Sequence, residues 1–264
     1  MTDAPVLVDS SSPGIVVLTL NRPRRRNALN GALLESLAEA VAAAESDPTK
    51  RVLILRGAGP AFCAGLDLKE ALDETVSESV AQLVLRALRS LARSRLISIA
   101  EVNGPAMAGG AGLMCACDFA LAADDVQIGF PEVHRGLVAA LVMCFLSRNM
   151  AGRHVRSLVL LGQPVEARHA EAIGLVNQAV PRAELSSRVM RLAQEILQGG
   201  PVAVERTKFL LDEFSPWDLG ADLDAALRHH TEMRGSAEAA EGLRAFVEKR
   251  PPAWQTNLGQ EGTR

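Results

Sequence analysis

No charge of one sign dominates this chain. Its 264 residues carry 28 basic and 31 acidic side chains, a formal net charge of −3, spread along the whole length. That balance excludes the electrostatic footprint of a nucleic-acid-binding protein, or of one drawn to an anionic membrane. Cysteine is scarce: Cys63, Cys115, Cys117 and Cys144 form no disulfide framework in a chain of this length. Cys115-x-Cys117 has the wrong spacing for a zinc knuckle or a thioredoxin-type pair and reads as two small buried hydrophobes. Long apolar runs are missing as well. The longest weakly polar stretch, about residues 105–117, is too short and too glycine-rich to span a bilayer. The opening MTDAPVLVDSSSPG lacks the apolar segment of a secretory signal. The expectation is a cytoplasmic protein with reduced thiols and with neither nucleic acid nor membrane as partner. Two phosphate-binding patterns are absent too, G-x-x-x-x-G-K-[ST] and G-x-G-x-x-G after a strand. His154, His169, His229 and His230 have no matching ligand set, so no metal site is expected.

What is present is enough for one large core: 48% of the residues are hydrophobic. Short β-like runs, 5–9 and 14–20, come first. A helix follows over 33–45, with Asn30 as N-cap and Asp47-Pro48 as its stop. Then come a strand at 51–57, a loop at 58–71, a long helix within 76–94 and a strand at 96–102. Further strands are expected at 118–123, 126–130 and 175–180. From about residue 136 the pattern turns helical, over 137–150, 152–161, 167–173, 182–198, 201–212, 219–230 and 236–249, the last capped by Ser236 and ended by Pro251-Pro252. The fold class is therefore α/β with a mostly parallel sheet and a helical C-terminal third. Such sheets place binding loops at the carboxyl ends of their strands.

Two small-residue loops occupy that position, FCAGLDL (62–68) and AMAGGAG (106–112). Each follows a strand and leads into a helix, whose first N–H groups have no partner and carry partial positive charge. Two such termini facing one point form an oxyanion hole, and bulky side chains would block it. Close helix–strand packing is the plainer reading of either loop alone. The basic run RPRRRN (22–27) likewise fits a solvated loop or a phosphate-bearing ligand passing nearby.

These residues resemble the crotonase superfamily, the enoyl-CoA hydratase/isomerase family, over nearly the full length. The resemblance runs through LTLNRPRRRNALN (18–30), AFCAGLDLKE (61–70), NGPAMAGGAGLMCACDFALA (103–122), IGFPEVHRGL (128–137), AIGLVNQAVP (172–181), GPVAVERTK (200–208) and EGLRAFVEKRPP (241–252). Seven segments in one order make it specific. It implies a ββα spiral core over residues 1–200 and a C-terminal helical trimerisation region over 201–264. The assembly it implies is a homotrimer or a dimer of trimers. It also implies an acyl-CoA thioester substrate, with coenzyme A as part of the substrate and no separate cofactor, and an enolate-type intermediate. By motif position the oxyanion donors would be the N–H groups of Ala64 and Gly109. Ala64, Gly65, Leu66, Asp67 and Leu68 would run along the thioester and CoA, and Ala28 would help hold the adenine end. Phe246 and Lys249 match positions that in the family reach CoA from a neighbouring subunit; helix packing and a solvated charge are their plainer readings.

Family hydratases carry two glutamates. Here the first position is Gly112 and the second is Glu132, and the stretch that hydratases fill with a Gly-Gly-Thr-Gln-Arg run reads VAALVMCFLSRN (138–149). Hydration needs one group to deprotonate water and another to protonate C2, which two carboxylates do. Moving a double bond from C3=C4 to C2=C3 needs one base, which takes the proton from C2 and returns it at C4. The hole must then hold the enolate; elsewhere, losing one donor costs about 3–4 kcal/mol. The resemblance is therefore closest to single-glutamate Δ3,Δ2-enoyl-CoA isomerases, with Glu132 as base. A single-glutamate hydratase, other enolate reactions such as thioester decarboxylation or retro-aldol cleavage, and a CoA-binding protein without turnover are the alternatives. Burial would raise the Glu132 pKa, as a base near neutral pH requires. His134 reads as a second acid/base group or a surface histidine, and Asp67 as a loop-shaping ligand or a helix cap. Glu70 and Glu74 read as pocket residues or a solvated face. Ala139, Ala140 and Leu141 would line an acyl tunnel.

Overall fold

IVVLTL at Ile15–Leu20 and VLILRG at Val52–Gly57 are β-branched and apolar on both faces, as strands buried in a parallel sheet are. In the computed structural model, which describes residues 4–67, 70, 77–215 and 218–258, they are adjacent inner strands of a six-stranded sheet. Its strands are β1 (Val6–Asp9), β2 (Ile15–Leu20), β3 (Val52–Gly57), β4 (Ile97–Val102), β6 (Phe119–Ala123) and β9 (Gln178–Val180), in that spatial order. Only β1 runs antiparallel to its neighbour. A second sheet joins β5 (Ala106–Met107), β7 (Gln127–Gly129) and β8 (Val165–Glu166). Single bridges pair Leu29 with Leu66 and Cys63 with Ala106, stitching the loops above β3 and β4 into this second layer.

Helix α1 (Gly31–Ser46) buries Leu33, Leu34, Leu37, Ala38 and Val41, a stripe at helical spacing, and Asn30 caps it by accepting from the Leu33 N–H. It packs on α2 (Ser77–Arg93). Then follow α3 (Gly109–Cys115), a 3₁₀ turn at Pro131–Arg135, α4 (Ala140–Asn149), α5 (Gly152–Leu161), α6 (Ala167–Ala172) and α7 (Leu185–Leu197). The C-terminal helices are α8 (Pro201–Glu213), α9 (Leu219–Arg234), α10 (Ala237–Val247) and α11 (Ala253–Leu258). Ser236 caps α10 as its sequence position predicts, accepting from the Ala239 N–H. Among the described residues, no helix is long and apolar enough to cross a membrane.

Three differences from the sequence reading have local causes. The helix expected over 137–150 starts at Ala140, because residues 131–135 form the 3₁₀ turn and Gly136 ends it in the left-handed region, φ 63°. The helix expected over 182–198 opens with a 3₁₀ turn at Arg182–Glu184 before α7. The strand expected over 175–180 shortens to 178–180, since Leu175 and Asn177 donate to Ala170 and Ala120 instead.

The C-terminal region is not a detached appendage in this chain. α9 packs on α2 and α4, and α10 packs on the 3₁₀ turn. A Cβ on Gly242 of α10 would lie 2.4 Å from the Arg135 carbonyl oxygen, so glycine lets the helix touch the backbone of the turn.

Candidate active site

β2, β3 and β4 run parallel, so the loops after them, 21–30, 58–67 and 103–108, emerge at one end of the sheet. A buried asparagine binds the first two loops. Asn27 adopts φ 55°, a region asparagine enters more readily than most residues. Its Nδ2 donates to the carbonyls of Ala58, Ala61 and Phe62, and its Oδ1 accepts from the Arg22 N–H. The Cys63 thiol donates to the Asn27 carbonyl, and burial pushes that thiol up to about 12, so it stays protonated. Arg22 pairs with Asp67 at 2.9 Å and also donates to the Ala28 carbonyl. Asp67 therefore anchors its own loop to the one carrying Ala28.

The second and third loops meet backbone to backbone. Met107 donates to Cys63 and Cys63 to Pro105. A Cβ on Gly110 would lie 2.4 Å from the Cys63 carbonyl oxygen, and one on Gly65, at φ 90°, would lie 3.6 Å from the Gly109 nitrogen. Ala64 and Gly109 are thus brought to one place, and both line one cavity of about 360 Å³. The Gly109 N–H, in the first turn of α3, has no protein acceptor among the described residues. The Ala64 N–H donates to the Arg26 carbonyl at 3.0 Å. Ala108, just before Gly109, is held at φ 50° and ψ −126°, a strained backbone for a residue with a Cβ.

Glu132 sits on the 3₁₀ turn in the wall of the same cavity, 9% exposed, with Oε2 buried and without a hydrogen-bond partner. Burial lifts its pKa to about 7, partly opposed by a hydrogen bond from its own backbone and by the Arg135 charge. Val142 and Leu88, both in the cavity wall, close the space beside Gly112.

The cavity gathers Ala28, Ala64, Leu66, Asp67, Gly109, Glu132 and Phe246 from the residues that the sequence singled out. Ala139, Ala140 and Leu141 line it too, as the tunnel reading expects. Gly65 lies in its loop, behind Ala108. Leu68 and Glu74 fall outside the described residues. Phe246 reaches the cavity of its own chain, with the Arg135 guanidinium 4.1 Å from its ring centre. Lys249 is exposed and not part of the wall. His134 is exposed beside Gln163 and also outside the wall, which is the surface reading. Glu70 accepts from the Gly31 N–H at the start of α1. Sequence reasoning missed Asn27, Arg135, Val142, His230 and Arg234. The first could have been found as a polar residue between a basic run and an alanine; the others reach the site only through tertiary packing.

The chain is similar to known proteins along most of its length. The family model for enoyl-CoA hydratase/isomerase matches residues 10–257. The enoyl-CoA hydratase domain-containing protein 2, mitochondrial, of Bos taurus is 35% identical over 249 residues, covering 90% of this chain and 83% of that one. An enoyl-CoA isomerase/hydratase of Mycosarcoma maydis is 31% identical over 258 residues, 92% and 94% of the two chains. The crystal structure of an enoyl-CoA hydratase from Mycobacterium avium superposes with a TM-score of 0.86 at 32% identity, covering 96% of this chain and all of the other. With a spiral α/β core, two small-residue loops meeting at one cavity and a buried glutamate in its wall, the chain belongs to the enoyl-CoA hydratase/isomerase family of the crotonase superfamily.

Proposed function

We propose that this protein is a Δ3,Δ2-enoyl-CoA isomerase working with one carboxyl group. The observation that carries this reading is the pairing of a buried Glu132, whose Oε2 has no hydrogen-bond partner, with a Gly112 whose side-chain space is taken by Val142. Among the described residues, the cavity wall holds one other carboxylate, Asp67, and Arg22 engages it.

In the proposed reaction the thioester oxygen of a 3-enoyl-CoA accepts from the N–H groups of Gly109 and Ala64, the latter giving up its bond to Arg26. The Glu132 carboxylate removes a proton from C2, and the C2 electrons move into a dienolate. The same carboxyl delivers that proton to C4 as the double bond forms between C2 and C3, and Glu132 returns to its starting charge. A pKa of about 7 suits both halves, since the group must first accept and then donate. Ala28 and the loop Ala64–Leu68 are proposed to bind the CoA portion, with Phe246, stacked on Arg135, at its thioester end and Lys249 reaching it from a neighbouring subunit.

A single-glutamate hydratase is the second reading, favoured by the names of the relatives, which include hydratases. Conversion of 3-hexenoyl-CoA by the wild type, set against Glu132→Gln, tests the first. Retained turnover in the variant would remove Glu132 from the chemistry. We also propose a homotrimer or a dimer of trimers. Val202, Leu210, Leu211 and Phe214, in and just after α8, expose 42–77% of their surfaces, an apolar face that a second copy would cover. Light scattering at micromolar concentration decides that point; a monomer mass contradicts it.

A further inference from the structure

The cavity that holds the two backbone donors also carries basic side chains. Arg135, His230 and Arg234 all line it, among apolar neighbours such as Val138, Leu141 and Leu243. The Nε of Arg135 is buried and has no hydrogen-bond partner. His230 and Arg234 stand one turn apart on α9, on the same face, and neither forms a hydrogen bond or an ion pair with the described residues. Burial lowers the pKa of all three; the like charge of Arg234 adds to the effect on His230, a neutral hydrogen-bond donor at pH 7, and the Glu132 charge opposes it on Arg135. Arg22, Arg182 and Arg250, by contrast, are each paired with a carboxylate, Asp67, Asp125 and Glu241. A guanidinium with no carboxylate partner in a largely apolar wall, as Arg234 is here, is costly unless a ligand completes it.

Resting on the isomerase reading for its reaction, we propose that the acyl group of the substrate ends in a second carboxylate, which Arg135, Arg234 and His230 receive. Position separates this role from binding the CoA phosphates. In a 3₁₀ helix residues i and i+3 stand one above the other, so Arg135 shares a face with Glu132. Glu132 acts at C2 and C4, so Arg135 stands on the acyl side of the thioester. In coenzyme A the phosphates are separated from the thioester by the whole pantetheine arm, and Ala28 is the residue proposed at the adenine end. The stretch Val138–Val142 of the wall is apolar and offers an extended carbon chain no polar side chain. An acyl chain ending in methyl would leave the cations as they are; one ending in carboxylate would gain charge-assisted hydrogen bonds that guanidinium forms in pairs.

Adipoyl-CoA and hexanoyl-CoA have equal carbon counts and differ only in the distal carboxylate. Neither has a double bond to move, so their binding is independent of whether the enzyme isomerises or hydrates. Calorimetry on the full chain at pH 7 is expected to give adipoyl-CoA an advantage of about tenfold or more. Arg234→Met should remove most of that preference, and Arg234→Lys should keep most of it. Equal affinity of the wild type for the two ligands overturns the proposal. So does a preference untouched by both Arg234→Met and Arg135→Met. If these variants weaken free CoA as much as adipoyl-CoA, the cations serve the phosphates, and the proposal fails. Turnover of 3-hexenoyl-CoA, measured separately, reports on the isomerase reading alone.

Discussion

A γ-methyl of Val142 lies 2.9 Å from the point that a Cβ on Gly112 would occupy. No real Cβ sits so close, and the β-branched valine has little freedom to turn away. The position that the resemblance matches to the first glutamate of family hydratases is therefore closed by a neighbour, as well as lacking the side chain. Gly112→Ala should destabilise the protein by about 1–2 kcal/mol, overpacking outweighing the gain in helix propensity. Val142→Ala in the same chain should recover most of that loss, and a double-mutant cycle in urea measures the coupling. Gly112→Glu with Val142→Ala should admit a second carboxylate and raise hydration of a 2-enoyl-CoA above the wild-type level.

Glu132 links activity and stability to pH with opposite signs. Its folded pKa, about 7, lies above the ordinary carboxylate value of 4.5. Below pH 4.5 both folded and unfolded chains hold the proton. Between 4.5 and 7 only the folded chain does, so this group's contribution to stability is full at low pH and is lost as pH rises toward 7. The loss is of the order of 3 kcal/mol. Glu132→Gln should flatten that slope, which denaturation at pH 5 and pH 8 checks. The isomerisation rate should instead climb through about pH 7, because proton removal from C2 needs the carboxylate. A pH-independent rate from 5 to 8 would contradict the role of Glu132.

Asn27 binds three carbonyls of the loop that carries Ala64. Asn27→Ala should cost about 2–4 kcal/mol, since it strands buried acceptors and leaves alanine at a positive φ. Its Tm should fall accordingly, and the surviving folded fraction should turn over more slowly because the donor loop is loosened.

Ala108 presents the opposite case. At φ 50° and ψ −126°, glycine would sit without strain. Ala108→Gly should stabilise by about 1 kcal/mol after the greater entropy of an unfolded glycine is subtracted. A lower Tm would show that the alanine methyl packs more usefully than its backbone suggests.

The fold's main elements were legible because their signals are local. Asn30 and Ser236 announce helix starts, and the apolar runs at 14–20, 51–57 and 96–102 have nothing to be but buried strands. Ala64, Gly109 and Glu132 were legible through short segments in a fixed order, and the structure gathers them around one cavity. β5 and β8 were not, being two residues each and defined by their partners. Nor were Val142, Arg135 and Arg234, since a valine filling a glycine's empty side and two arginines meeting at one cavity from separate elements are facts of packing. The own-chain approach of Phe246 depends on Gly242 meeting the Arg135 backbone, a contact between segments more than 100 residues apart.

The most direct measurement follows mass and absorbance together on two substrates, 3-hexenoyl-CoA and 2-hexenoyl-CoA, with wild type and Glu132→Gln. Isomerisation predicts rising conjugated-thioester absorbance from the 3-enoyl substrate with no change in mass, lost in the variant. A gain of one water by the 2-enoyl substrate, with the 3-enoyl substrate untouched, would contradict it and make this a hydratase with one glutamate.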